Sequence, residues 1–153
     1  MTALEVFGRR SLWTGLASVA LLAACSTAPP SNKTVLTGEK EVPPVNTTAS
    51  GLSDISVRSG ACPGASATDC QLIVGTVQTT GVAATAAHIH QGAVGQNGPV
   101  IVTLVQTGTD VWGIPVGTTL TAEQYQAYLA GNLYVNVHSD ANKGGEIRAQ
   151  IRP

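Results

Sequence analysis

The sequence predicts an all-β fold, a Greek-key β-sandwich or barrel with one short helix at about residues 121–130. Segments that alternate apolar and polar residues recur along the chain, as expected of half-buried strands. Glycine (17 residues) and proline (8 residues) are frequent, which suits short strands joined by tight turns. Helix boundary signals occur at one place: Thr121 can cap a helix, Gln124 follows as in a capping box, and Gly131 stands where the helix ends. Many strands with a single helix favour a sandwich or barrel.

The predicted strands are short and follow one another directly. The second and third are expected to form a hairpin, and the last two are expected to pair around a turn at 140–145. A glycine-rich loop at 92–98 is interpreted as a wide turn, with folding over the neighbouring histidines as the alternative. In order, the predicted strands are 35–41, 52–58, 71–78, 84–90, 100–105, 133–138 and 146–151.

The amino terminus, residues 1–24, has the pattern of a lipoprotein signal peptide. Two arginines precede an apolar run at 12–24, which is too short for a bilayer span of roughly 20 residues but typical of a signal peptide. The run ends in Leu-Ala-Ala-Cys at Cys25, which resembles a bacterial lipobox. This resemblance implies that Cys25 carries lipid. An ordinary signal peptide with an incidental cysteine is the alternative.

Residues 25–33 are expected to be the lipidated cysteine and a flexible tether, and 34–153 the folded domain. The expected location is therefore outside the cytoplasm, with a lipid anchor in the bacterial cell envelope. In a Gram-negative host, Ser26 favours the outer membrane and periplasm because it is not the aspartate of inner-membrane sorting. The membrane is the one partner that this interpretation names, and a protein or polysaccharide partner stays open.

Composition excludes several classes of function. Only 11% of residues are charged and the formal net charge is −1, which excludes a nucleic-acid binder that depends on a basic face. A hydrophobic content of 43% excludes a disordered polyelectrolyte. The chain has neither a Gly-x-Ser-x-Gly nucleophile elbow nor a phosphate-binding loop. Met1 is the only methionine, which argues against a blue-copper site.

Two cysteines remain if Cys25 is lipidated. Cys62 and Cys70 are separated by a short loop-like segment, and an oxidising compartment allows a disulfide between them. Two free thiols are the alternative. A metal site at this pair is disfavoured because no third sulfur ligand is left.

The three histidines carry the most informative chemistry. His88 and His90 stand two residues apart in a predicted strand, so both rings lie on one face. His138 ends another predicted strand, on the face that also carries Tyr134 and Asn136. If the two strands are neighbours, the three rings converge. Three neutral imidazoles suit Cu(II) or Zn(II), so we predict these histidines as ligands of copper or zinc.

Other polar residues near the histidines have two interpretations each. Asp140 and Glu146 can each supply an oxygen ligand to the metal ion, or accept a hydrogen bond from the N–H group of a ligand histidine without binding the ion. Alternatively, Asp140 only stabilises the turn, and Glu146 only lies at a solvent-facing strand end. Arg148 is expected to make a surface ion pair. The histidines themselves can instead form a solvated or hydrogen-bonded set without metal.

Three segments resemble the CHRD family, a domain first named from chordin and common in bacterial secreted proteins. They are LTGEKEVPPV at 36–45, AAHIHQG at 86–92 with GQNGPVIV at 95–102, and LAGNLYVNVHS at 129–139 with NKGGEIR at 142–148. Together they cover roughly 35–152. Family members usually carry proline where Lys143 stands, a change in a turn rather than in a ligand. The family has no well-established activity, so the resemblance identifies the domain better than the function.

The histidine pattern also resembles the layout of Cu,Zn superoxide dismutase. The shared features are His-x-His on a strand, a glycine-rich loop, and a late strand that ends in histidine before a Gly-Gly turn. In that family the corresponding histidines bind copper. Its zinc site needs further histidines, and this chain has none beyond His88, His90 and His138. The resemblance therefore implies at most one metal ion.

Three functions stay open at this stage. The first is a surface-anchored, non-catalytic CHRD lipoprotein with a three-histidine copper or zinc site. The second is a mononuclear copper redox enzyme of superoxide-dismutase type. The third is a metal-free structural or adhesive module of the envelope.

Overall fold

The computed structural model describes residues 32–64 and 70–153, and these confirm the predicted all-β fold. The predicted signal peptide, Cys25 and the tether up to residue 31 lie outside the described residues. Within the described ranges, no helix has the length and apolar character needed to cross a lipid bilayer. The elements are β1 (Lys33–Thr37), a 3₁₀ turn (Gly38–Lys40), β2 (Ser50–Gly60), β3 (Cys70–Thr80), β4 (Ala84–Gln91), β5 (Val100–Thr103), β6 (Val105–Gly108), β7 (Val111–Gly113), β8 (Thr119–Leu120), α1 (Ala122–Leu129), β9 (Leu133–Ser139) and β10 (Ile147–Ile151).

The strands form one antiparallel sheet that curves into a nearly closed barrel. Their hydrogen-bonded order is β5-β4-β9-β10-β1-β2-β3-β7-β6, with β8 beside β3. Because β5 and β6 follow each other directly in the chain, the two ends of this order meet. The connection from β3 to β4 joins strands that are not neighbours, as in a Greek key.

The strand predicted at 100–105 is divided in two, which corrects the prediction. Leu104 separates β5 from β6, and its N–H donates to the Ala87 carbonyl of β4 at 2.9 Å. Before this residue the chain pairs with β4, and after it the chain pairs with β7. The break is therefore the point at which the segment leaves one strand for another and closes the barrel.

The first predicted strand, 35–41, also ends earlier than expected, because β1 stops at Thr37. The Gly38 carbonyl accepts hydrogen bonds from the N–H groups of Glu41 and Val45, at 3.1 and 2.9 Å. A Cβ atom on Gly38 would clash with the Val45 carbonyl, so this fold-back requires glycine. The other predicted strands agree with the structure to within two residues at each end.

The predicted helix and its capping box are confirmed. The Thr121 hydroxyl accepts from the Gln124 N–H at 3.2 Å, and the Gln124 side-chain oxygen accepts from the Thr121 N–H at 2.9 Å. Gly131, with φ of 70°, follows the helix end, a conformation that favours glycine. Tyr128 of α1 is buried against the barrel core.

The barrel interior is apolar, and every second side chain of each central strand points into it. Leu133, Val135 and Val137 of β9 alternate inward, as the sequence predicts. Burial of such side chains is the main favourable contribution to folding. The largest fully buried apolar side chains are Leu36, Ile55, Ile73, Val77, Ile89, Leu133, Val135, Val137, Ile147 and Ile151.

The outer face of β4, β9 and β10 is buried as well, and this second layer is polar. We call these side chains the polar layer: His90, Tyr134, Asn136, Arg148 and Gln150. The first four are at most 8% exposed. Loop 92–98 covers the layer by accepting hydrogen bonds from Arg148 and Gln150. Asn97 of this loop also donates to the Val42 carbonyl at 2.8 Å, which joins the loop to the segment after β1.

Glu41 is a buried acid beside the polar layer, with 5% of its surface exposed. A Cβ atom on Gly145 would clash with Glu41 Oε1 and Asn136 Nδ2, so the carboxyl group lies close against this glycine. Glu41 Oε1 has no hydrogen-bond partner among the described residues. Burial raises the pKa of Glu41 from its ordinary value of 4.5 to about 7, although the Arg148 charge and a Val42 backbone hydrogen bond lower it.

Replacement of Glu41 by glutamine should stabilise the protein at pH 8. The folded chain holds the carboxyl proton to a higher pH than the unfolded chain, so wild-type stability falls as the pH rises from about 4.5 to about 7. Glu41→Gln should raise the free energy of unfolding at pH 8 by up to about 3 kcal/mol and flatten this pH dependence. Denaturant unfolding at pH 5 and pH 8 measures both effects.

The exposed Glu39, two residues earlier, offers the matched control. Glu39→Gln should leave the pH dependence of the wild type in place. A Glu41→Gln protein with that same unaltered pH dependence would contradict the prediction.

The hairpin of β2 and β3 ends in a disulfide, as predicted. The two strands pair along eleven residues, from Ser50 opposite Thr80 to Gly60 opposite Cys70. Cys62 and Cys70 are joined, with 5.0 Å between their Cα atoms. The two cysteines are eight positions apart in the sequence, so the bond constrains little of the chain.

Removal of this disulfide should therefore cost little. The double variant Cys62→Ser, Cys70→Ser should lose about 2 kcal/mol of unfolding free energy, the lower end of the usual range for disulfides. Chemical denaturation of the oxidised wild type and the variant measures the difference. Two thiols that react with an alkylating reagent in the folded, unreduced wild type would contradict the assignment.

Candidate metal centre

The antiparallel pairing of β4 with β9 brings the three histidines together. Ala86 lies opposite His138, His88 opposite Asn136 and His90 opposite Tyr134. One potential ligand nitrogen from each histidine lies within 4.8 Å of the others. The predicted convergence of the rings is thus confirmed, and it follows from the strand neighbours and from the two-residue period of a strand.

The rings differ in how closely they approach one another. His88 Nδ1 and His138 Nε2 are 2.9 Å apart, and the ring centroids are separated by 4.7 Å. The His90 ring stands 5.9 Å from that of His88 and 6.4 Å from that of His138. His88 and His138 are only partly buried, whereas His90 is 8% exposed. The cluster therefore has one buried corner and two corners nearer to solvent.

Two backbone carbonyls fix the orientation of the rings. His90 Nδ1 donates to the Gly98 carbonyl and His138 Nδ1 donates to the Lys143 carbonyl, each at 2.9 Å. Because a carbonyl only accepts, these contacts assign the ring proton to Nδ1 and leave Nε2 of both residues with a lone pair. His88 Nδ1 must then donate to His138 Nε2 when only protons occupy the cluster. A metal ion can take the place of that shared proton.

The buried corner contains two polar atoms without partners. His90 Nε2 and Asn136 Oδ1 are both inaccessible to solvent and accept no hydrogen bond from any described residue. Asn136 is 2% exposed and lies between Tyr134 and His138 on its strand face, opposite His88 of β4. Orphaned acceptors of this kind are costly in a protein interior. A cation held by the three imidazoles would bind His90 Nε2 directly, so the donor set fits copper or zinc.

The surroundings of His88 and His90 favour the neutral form of both rings. Burial lowers the pKa of His88, and the neighbouring His138 and His90 lower it further. Burial also lowers the pKa of His90, as do the nearby charges of His138 and Arg148, and together they outweigh the Gly98 carbonyl and the Asn136 side chain, which raise it. Neutral imidazole is the form that binds a metal ion, so both residues are ready for coordination at pH 7.

The two predicted outer carboxylates do not hold the ring N–H groups. Glu146 instead accepts hydrogen bonds from the hydroxyls of Thr47 and Ser139, the first at 2.8 Å. The Ser139 hydrogen bond lowers the pKa of Glu146 most strongly. Asp140 is exposed in the turn, and no hydrogen bond joins it to an imidazole in the described part of the chain. Glu146 thus contributes indirectly, because it anchors the turn that carries the Lys143 carbonyl.

The glycine-rich loop is more than the wide turn that the sequence analysis favoured. The Gly98 carbonyl holds His90, and the Gly98 N–H donates to the Tyr134 hydroxyl at 3.2 Å. A Cβ atom on Gly98 would clash with the Gln91 carbonyl, which explains why glycine stands here. The alternative interpretation, in which the loop folds over the histidines, is the one that the structure supports.

Arg148 also departs from expectation, because it is buried and makes no surface ion pair with any described residue. It is 2% exposed, and its Cζ lies 3.3 Å from the centroid of the Tyr134 ring. Tyr134 stacks in turn on His90, with 4.7 Å between centroids and 7° between planes. Strand alternation already places Tyr134 on the histidine face, but the burial of that face by two loops has no local sequence signal.

The comparison with protein-family models gives one match, to the CHRD domain, over residues 33–151. This range contains both histidine strands and each of the segments that carry the resemblance seen in the sequence. Searches among curated proteins and among solved structures each gave no significant match. Since the family match spans most of the chain, the protein belongs to the CHRD domain family.

Proposed function

We propose that this chain is an exported, lipid-anchored CHRD protein that binds one copper or zinc ion through His88, His90 and His138 and does not catalyse a reaction. The observation that supports the proposal most is the geometry of the cluster. Three ring nitrogens lie within 4.8 Å, and the buried one, His90 Nε2, has no partner among the described residues. A hydrogen-bonded structural set would satisfy that nitrogen with a protein donor.

Each residue around the cluster has a role in this proposal. His88 Nδ1, His90 Nε2 and His138 Nε2 are the nitrogens left to coordinate an ion once the carbonyl contacts are counted. The Gly98 and Lys143 carbonyls hold the remaining N–H groups and so preset two of the rings. A bound ion would supply positive charge and Lewis acidity at the barrel surface. The chain's own contribution is the rigid, neutral donor set.

Replacement of any one ligand by alanine should weaken the binding of Cu(II) or Zn(II) by more than about a hundredfold. The fold should persist, because the inward neighbours Ile89 and Val137 form the core. Titration calorimetry on the wild type and the variants His88→Ala, His90→Ala and His138→Ala gives the affinities. Glu123→Ala, a truncation of an exposed side chain on α1, should leave them unchanged.

Affinity should also depend on pH. Burial lowers the pKa values of His88 and His90 from their ordinary value, so protons compete with a metal ion for these two ligands only in acidic solution, where affinity should fall. The triple His→Ala variant provides the reference. If this variant and the wild type bind Cu(II) and Zn(II) with equal affinity, the histidines do not form a metal site, and the metal-free structural or adhesive function takes its place.

A redox activity of superoxide-dismutase type is the second candidate. The partial exposure of His88 and His138 favours it, because a bound ion would keep one side open to a small solute. Superoxide turnover by the copper-loaded wild type, compared with the copper-treated triple His→Ala variant, separates this function from simple binding. Rapid turnover that depends on the histidines would replace the non-catalytic proposal.

The anchor is tested separately from the metal. Cys25→Ser should release the protein from the membrane fraction or block maturation, because the lipid-bearing thiol is lost. Cell fractionation and intact-protein mass spectrometry measure the two effects. Cys62→Ser serves as the control cysteine, and it should stay in the membrane fraction. Wild-type partitioning and mass for Cys25→Ser would contradict lipidation.

A further inference from the structure

We propose that the histidine cluster favours monovalent copper over divalent metal ions and that Arg148 sets this preference. The inference rests on the proposed metal site and goes further by assigning the charge of the ion. The observation behind it is a buried cationic side chain, Arg148, which a three-histidine metal site does not itself require.

Arg148, Tyr134 and His90 form one stack across three neighbouring strands. The guanidinium carbon lies 3.3 Å from the Tyr134 centroid, and the Tyr134 ring lies parallel to His90 at 4.7 Å. In the sheet, β9 runs between β10, which carries Arg148, and β4, which carries His90. The cation and the candidate ligand therefore flank Tyr134 from opposite sides, one aromatic ring apart.

The guanidinium is held rigidly by neutral groups. Arg148 donates to the Gln96 carbonyl at 2.8 Å, to Asn97 Oδ1 at 3.1 Å and to the Ala93 carbonyl at 3.5 Å. These acceptors satisfy its hydrogen bonds without neutralising its charge. Among residues 32–64 and 70–153, no carboxylate lies within ion-pair distance of it. The positive charge thus acts in a buried region, where solvent screens it weakly.

The nearest acid offsets this charge only in part. Glu41 interacts electrostatically with Arg148, yet burial holds the pKa of Glu41 at about 7. The carboxyl is therefore substantially protonated at neutral pH. Glu146 hydrogen-bonds to Thr47 and Ser139, away from the Arg148 stack. On the His90 side of the cluster, the positive charge of Arg148 is thus offset only in part.

The ligand set adds no negative charge. Three neutral imidazoles leave a divalent ion with its full charge of two, whereas monovalent copper keeps a charge of one. Repulsion from Arg148 is twice as large for the divalent ion at the same position. The fixed charge of Arg148 therefore favours monovalent copper.

The test compares the affinity for Cu(I) with the affinity for Zn(II), in anaerobic competition titrations with chromophoric chelators at pH 8. Arg148→Met removes the charge, and Arg148→Lys keeps it while losing the planar stack. We expect Arg148→Met to reduce the Cu(I)-to-Zn(II) affinity ratio by about tenfold. Arg148→Lys should retain most of the wild-type ratio. An unchanged ratio in Arg148→Met, or an equal fall in both variants, would overturn the proposal.

A second variant tests the same electrostatic effect and leaves Arg148 unchanged. Glu41→Gln removes the opposing carboxylate, which is mostly ionised at pH 8. Its Cu(I)-to-Zn(II) ratio should rise by a few-fold, opposite in direction to Arg148→Met. A fall or no change would overturn the proposal even if Arg148→Met does not fold.

Failure of the underlying metal site gives a different result. If the wild type binds neither ion more tightly than the triple His→Ala variant, both the proposed function and this inference are wrong. If binding is tight and depends on the histidines, but the Cu(I)-to-Zn(II) affinity ratio is the same in the Arg148 and Glu41 variants as in the wild type, only this inference is wrong.

Discussion

β4 and β9 pair in one register from Ala86 to Gln91, and this register determines which side chains face each other at the candidate site. Strand side chains alternate, so a slip by one residue would turn His88 and His90 into the apolar core and Ile89 outward. The hydrophobic side chains that fill the barrel thus hold the histidines in place. The metal-ligating geometry needs no dedicated scaffold, because the packing of Ile89, Val135 and Val137 already enforces it.

The polar layer lowers the stability of the fold, because burial of its polar and charged groups costs free energy that burial of an apolar face would not. Arg148 and Glu41 are buried charged or titratable groups, and Asn136 and His90 each retain an atom without a partner among the described residues. Such groups destabilise a protein unless their interactions compensate. The compensation here comes mainly from backbone carbonyls of loop 92–98 and from the turn after β9. Retention of this layer is understandable if its polar atoms meet a ligand.

Sequence alone predicted the strands around the site, the helix cap, the disulfide and the face that the histidines share. These features depend on local alternation, on capping residues and on cysteine spacing, all of which are visible within short windows. The short strands β7 and β8 were not predicted, because three and two residues show no clear period. The burial of Arg148 was missed for another reason, since it depends on a loop more than fifty residues earlier in the chain. Likewise, Gly98 and Lys143 hold the rings through carbonyls, which any residue type supplies.

The closure of the sheet by the segment around Leu104 has a consequence for behaviour in a crowded compartment. Open sheets expose a row of unpaired N–H and C=O groups at each outer strand, and such edges invite strands from neighbouring molecules. Here the two outer strands, β5 and β6, are only four residues long each, and each is paired with a described strand on one side. Short outer strands offer few unpaired backbone groups, so backbone pairing with a neighbouring molecule is confined to these two short edges.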